Sequence, residues 1–135
     1  MASMNKQWVW GPQKPSRVPE ALKLEVATKA NRIVEDHIKP EHVKPPPKDP
    51  RFNYIVDIFT RWRGRFFYFM AKYASPGPNR IAPFFEDGFA RLEFVGNDRF
   101  DLAYHRHTGQ WWTTFPELTL DEALELIKDG DLFQP

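Results

Sequence analysis

Between Asn53 and Phe115 the chain alternates apolar, aromatic-rich runs with short turns, and this spacing leaves room for little but a succession of hairpins. The runs are Asn53–Thr60, Arg65–Tyr73, Gly88–Val95, Arg99–His105 and Gln110–Phe115. Three turn signals separate them. They are Arg61-Trp62-Arg63-Gly64, read as a three- or four-residue turn closed by glycine, then Gly96-Asn97-Asp98, and Arg106-His107-Thr108-Gly109 with Gly109 left-handed. Ala74–Pro83, with its Ser75-Pro76-Gly77-Pro78-Asn79 stretch, reads as a loop. Aromatic residues make up 16% of the chain, and aromatic side chains favour pleated, half-buried surfaces.

Helical signals flank this block. Pro19 opens a helix in which Leu22, Val26, Ala30, Ile33, Val34 and His37 recur at three- and four-residue spacings, and Pro40 is expected to stop it near Ile38. Thr119-Leu120-Asp121-Glu122 is a capping box ahead of Ala123, Leu124 and Ile127, with Gly130 as the stop. The expected fold class is α+β: an antiparallel meander sheet of about five strands flanked by an N-terminal and a C-terminal helix. Residues 1–18 are expected to form an extended Trp/Pro-rich arm carrying Trp8 and Trp10, and residues 19–135 a single α+β domain.

The turns also set registers. A three-residue Gly96–Asp98 loop pairs Phe94 with Phe100, Leu92 with Leu102 and Ala90 with Tyr104 on an apolar face. Glu93 then opposes Asp101, Arg91 opposes Ala103 and Phe89 opposes His105 on a polar one. The next turn sets Trp112 beside Tyr104, as core, and Trp111 beside His105. The first hairpin reads differently. Tyr54, Val56, Ile58, Tyr68 and Met70 fall on one face, and Ile55, Phe59, Phe67, Phe69 and Tyr73 on the other. Two apolar faces require two covers. The candidates are the tryptophan arm, the Ala74–Pro83 loop, or a second copy of the chain seated on the Phe67/Phe69 face.

Composition excludes several classes. There is no cysteine, hence no disulfide scaffold, thiolate metal site or cysteine nucleophile. No apolar run approaches the roughly 18 residues of a membrane span, and Met1–Gln7 lacks a signal-peptide core. A cytoplasmic protein without a membrane partner is expected. Net charge is +1, unevenly distributed. Residues 51–80 carry six bases against Asp57 alone, whereas residues 81–135 carry four bases against eleven acids.

Four constellations carry chemistry. Arg61, Trp62, Arg63 and Arg65 interleave cations with aromatics, as nucleic-acid-binding sheets do. The simpler reading is a solvated basic turn above a buried strand. The acidic C-terminal half would also repel a polyanion, so no single-stranded DNA or RNA binding tighter than roughly 10⁻⁴–10⁻⁶ M is expected. His105 and His107 lie two residues apart, with Glu93 and Asp101 as further donors, but no spaced third histidine completes a metal set. Glu93 opposite Asp101 resembles a paired-carboxylate site, yet Arg91 beside them suits a surface charge cluster better. Trp111, grouped with His105, Asp101 and Arg91, makes an aromatic–polar patch fit to bind a ligand. No Gly-rich phosphate loop, nucleophile elbow or zincin motif occurs, so no catalytic residue, metal or cofactor is assigned.

The order of helix, Pro45-Pro46 bridge, basic aromatic hairpin, Arg106-His107-Thr108-Gly109-Gln110-Trp111 turn and short acidic helix resembles a family of small uncharacterised bacterial proteins, a domain-of-unknown-function family, over roughly residues 25–135. The resemblance implies no activity. The expected function is a non-catalytic binding or interaction domain that self-associates. A small enzyme or metal protein using the His105/Asp101/Glu93/Trp111 face is the alternative, and a weak nucleic-acid binder through Arg61–Arg65 the next.

Overall fold

The structure is a computed structural model, and it describes residues 17–48, 51–77, 82–106 and 109–135. Five strands form one antiparallel sheet in chain order: β1 (Tyr54–Arg63), β2 (Phe66–Ala74), β3 (Phe84–Gly96), β4 (Arg99–His105) and β5 (Trp111–Thr119). Two helices, α1 (Glu20–Ile33) and α3 (Leu120–Asp129), cover one face of it. The α+β meander read from the turns is the observed architecture.

Helix α1 buries Val26 and Ala30, and Val34, one turn further on, extends the same stripe. It does not stop before Pro40. The helical path continues through a π-turn (Val34–Ile38) into a last turn, α2 (Lys39–His42). The Lys39 N–H bonds to the Val34 carbonyl, five residues back, and the wider turn makes room for the proline ring that an α-turn would crowd. Ile38, 1% exposed, thereby takes the core position expected of His37, which faces solvent. Val18, assigned by sequence to the arm, is also buried in the core.

The first hairpin departs from the expected register. Its turn is the two-residue Gly64-Arg65, with Gly64 at φ +60° and Arg63 opposite Phe66. A glycine at the first central position suits such a tight turn. Strand β1 therefore runs on through Arg61, Trp62 and Arg63, and Ile58, Thr60 and Trp62 share the helix-covered face with Ala71, Phe69 and Phe67. Phe67 and Phe69 are 1% and 0% exposed beneath the chain's own helix, so they are core, not an association face. Trp62 packs edge-on against Phe67 at 5.0 Å and donates its indole N–H to the Lys23 carbonyl of α1. It therefore lies on the helix-covered face and is not part of a solvated turn.

The β3–β4 register and the turn-proximal β4–β5 pairs are those the glycine turns dictate, whereas irregularities at Leu102 move the rest of β5 along to Leu102–Phe115 and Phe100–Leu118. Phe94 faces Phe100, Glu93 faces Asp101, Tyr104 faces Trp112 and His105 faces Trp111. Two residues differ in burial. A bulge where Phe69–Ala90 pairing gives way to Met70–Gly88 turns Phe89 inward beside Ala90, away from the polar face. Trp112 has core parity but is 48% exposed, because β5 is an edge strand and Phe133 covers Tyr104 and Phe115 instead.

The capping box forms as read. Thr119 N–H donates to Glu122 Oε1 and Glu122 N–H to Thr119 Oγ1, holding the Glu122 carboxyl below its usual range. Gly130 closes α3 for reasons of space, since a Cβ there would meet the Leu126 carbonyl at 2.5 Å.

Candidate functional site

The second face of the sheet carries no helix among the described residues, and the chain lays its own cations over it. Strand alternation brings Arg61, Arg63, Phe66, Tyr68, Met70, Arg91, Glu93, Asp101, His105 and Trp111 to this side. The Arg91 guanidinium lies 4.6 Å from the Phe66 ring centre and 4.9 Å from that of Trp111. Its buried Nε has no hydrogen-bond partner among the described residues, so the ring faces take the place of polar partners. Arg65 stacks on Phe66 from the hairpin turn at 5.2 Å. Trp111 meets Tyr68 edge-on at 5.7 Å and stacks on His105 at 4.8 Å and 17°. This layer answers the two-faced pattern of the first hairpin. Among the described residues the cover is arginine, and the tryptophan arm lies outside them.

Gly88 makes the close packing of Trp111 possible. A Cβ there would lie 3.0 Å from the indole ring and 3.3 Å from Met70 Sδ. Gly88→Ala should push the indole off the sheet, costing about 1–2 kcal/mol of overpacking. Urea unfolding with tryptophan emission checks this. An unchanged midpoint and spectrum would mean that the ring yields freely.

The carboxylates expected to work as a pair are separately engaged. Glu93, 7% exposed, accepts from Arg65 Nε at 2.8 Å. Asp101 accepts the Glu117 N–H at 2.9 Å, pinning a β5 residue at φ +54°. Neither serves His105. The histidine instead places Nδ1 3.0 Å from the Gly88 carbonyl and 3.2 Å from Asp87 Oδ1. A carbonyl can only accept, so Nδ1 carries a proton. His107 lies outside the described residues, and among those described no three His, Asp or Glu side chains converge as a metal requires.

Two concavities adjoin this histidine. One, of about 260 Å³, opens on the arginine face between Arg61, Arg63, Tyr68, Met70 and Trp111. Glu86 on its rim pairs with Arg61 at 3.6 Å. The other, of about 300 Å³, lies where β3 runs past its last pair with β4, Ala90–Tyr104. It is lined by Tyr73, Asp87, Phe89, His105, Arg106 and Leu132 among others. Burial, aided by the charge of Asp87, raises the Tyr73 hydroxyl above its ordinary pKa, so it stays protonated. Sequence reasoning missed Tyr73 and Asp87 because they join His105 only through the overhang of β3. Of the residues it singled out, Arg61, Arg63, Arg65, Arg91, Glu93, Asp101, His105 and Trp111 gather on or at the rim of one face. Trp62 alone is turned to the other.

No helix among the described residues is long and apolar enough to cross a membrane. No curated protein and no solved structure matches the chain. A family model described as "Domain of unknown function" matches residues 18–135, which begins at the buried Val18 and takes in every strand and helix described above. The chain belongs to that family, DUF3024.

Proposed function

We propose that this chain is a non-catalytic interaction domain whose recognition surface is the arginine–aromatic face of the sheet, and that the surface meets a second copy of itself. The observation that carries the reading is the Phe66–Arg91–Trp111–His105 stack, on a face that no helix covers among the described residues. Arginine, tryptophan, tyrosine, phenylalanine and methionine are the residues enriched at protein interfaces and at their energetic centres. Charge supports a second copy as the partner. Arg61, Arg63 and Arg65 line the β1–β2 side, whereas Asp101 and Glu117 lie on the β4–β5 side, with Arg99 at the far corner. A two-fold axis through β3 lays one side over the other, as an isologous contact requires. Five strands about 4.8 Å apart and roughly 23 Å long offer roughly 550 Å² per copy, the low end for a specific pair. The cysteine-free composition suits a cytoplasmic setting.

Sedimentation equilibrium tests this reading. Wild type should dimerise with a micromolar dissociation constant. Trp111→Ala should weaken the dimer about tenfold or more, and Arg63→Glu should weaken it most at low salt. A wild-type chain that stays monomeric at about 200 µM, well above micromolar dissociation constants, removes the reading.

A further inference from the structure

The cavity at the β3 overhang presents two opposite charges that the fold keeps apart. Asp87, its side chain 54% exposed, is held by His105 on one wall. Arg106 stands on another, its guanidinium 4.4 Å from the Trp112 ring centre. No ion pair joins the two among the described residues, although both line the same space. Tyr73, Phe89 and Leu132 supply apolar lining to the same space. The Tyr73 ring is fixed by stacking on Phe85 at 5.0 Å and 10°, and its hydroxyl stays neutral beside Asp87.

Opposite charges near enough to line one cavity, yet each anchored to a third group, complement a ligand that carries both signs itself. The ligand's cation would face a carboxylate already oriented by a histidine. Its anion would face a guanidinium already stacked on an indole. Neither protein group needs to be reordered, which is where a small site loses least on binding. The volume of about 300 Å³ is at the small end of ligand cavities, too small for a folded partner.

We propose that this cavity binds a free zwitterionic α-amino acid with an apolar side chain. Its ammonium pairs with Asp87, its carboxylate with Arg106, and its side chain lies against Tyr73, Phe89 and Leu132. The cavity shares Asp87, Gly88 and His105 with the concavity on the arginine face, but Tyr73, Arg106 and Leu132 line it alone, so ligand-dependent shifts at Tyr73 and Arg106 distinguish this proposal from self-association.

The test is a ¹H–¹⁵N titration of the full chain with L-phenylalanine to about 10 mM, a ceiling set by the weak affinity of so small a ligand. Saturable shifts at the amides of Tyr73, Asp87 and Arg106 are expected. Phenethylamine, which lacks the carboxylate, and N-acetyl-L-phenylalanine, which lacks the ammonium, should each bind at least about tenfold more weakly, as expected for loss of a charge-assisted contact. Asp87→Asn should abolish the preference for phenylalanine over the N-acetyl form, and Arg106→Gln the preference over phenethylamine. If either variant fails to fold, the two analogues on wild type still decide. No saturable shift at the highest concentration, or equal affinity for all three probes, overturns the proposal.

Discussion

Phe69→Ala is expected to destabilise the domain by about 3–5 kcal/mol, the usual cost of deleting a fully enclosed phenylalanine. The ring is 0% exposed and sits against Phe67 at 5.4 Å and Phe89 at 6.1 Å. Phe89 is there because of the β-bulge, so the cavity left by truncation would be bordered by a strand that cannot slide to fill it. Chains of this size have roughly 5–15 kcal/mol in total, and the loss should lower the melting temperature by about 10 °C or more. The same substitution separates two accounts of this hairpin. If Phe69 were an association residue, truncation would leave a stable monomer. Calorimetry showing an unchanged melting temperature would remove Phe69 from the core and reopen that account.

The second large effect is expected at Arg65 and Glu93. Glu93 is a buried carboxylate, and its charge-assisted bond to Arg65 is 2.8 Å long. Taking the cation away from a buried anion usually costs about 3–5 kcal/mol. Here the arginine side chain is 37% exposed, so water screens part of the interaction, and about 2 kcal/mol is the better expectation for Arg65→Met. Replacing both residues, as Arg65→Met with Glu93→Met, removes the buried charge as well and should recover most of the loss. Urea unfolding of the two single variants and the double one closes the cycle. Additive losses would show that the two groups do not interact. A loss under about 0.5 kcal/mol for Arg65→Met alone would make it an ordinary surface pair.

What could be read from sequence followed from turn chemistry. Gly96-Asn97-Asp98 and Gly109 each set a register beside the turn, and β3, β4 and the start of β5 pair accordingly, but the bulges that shift β5 beyond Thr113 carry no such signal. Gly64 was ambiguous, because a glycine ending a basic aromatic run serves a two-residue turn as well as a longer one. The difference exchanges the inward set of β1, which is why Trp62 and Ile58 were misplaced. Pro40 misled for another reason: a proline stops an α-turn, and single-residue reasoning does not see that a π-turn can precede it. The candidate site divides the same way. Arg91, His105 and Trp111 share a face by alternation alone. Asp87 meets His105 only because β3 outruns β4, a difference in strand length that neither segment encodes locally.

The strand order has a kinetic consequence. Each strand pairs only with its neighbours along the chain, so most of the sheet forms by closing short loops, whose entropy cost is small. The exception is α1. It precedes every strand, yet it packs on β1 and against α3 at the other end of the sequence. Those contacts must wait until the hairpins exist to receive them. The folding barrier is expected to be set by the meander, with α1 docking on its downhill side. Changes on the buried stripe of α1 then act chiefly on how fast the protein unfolds.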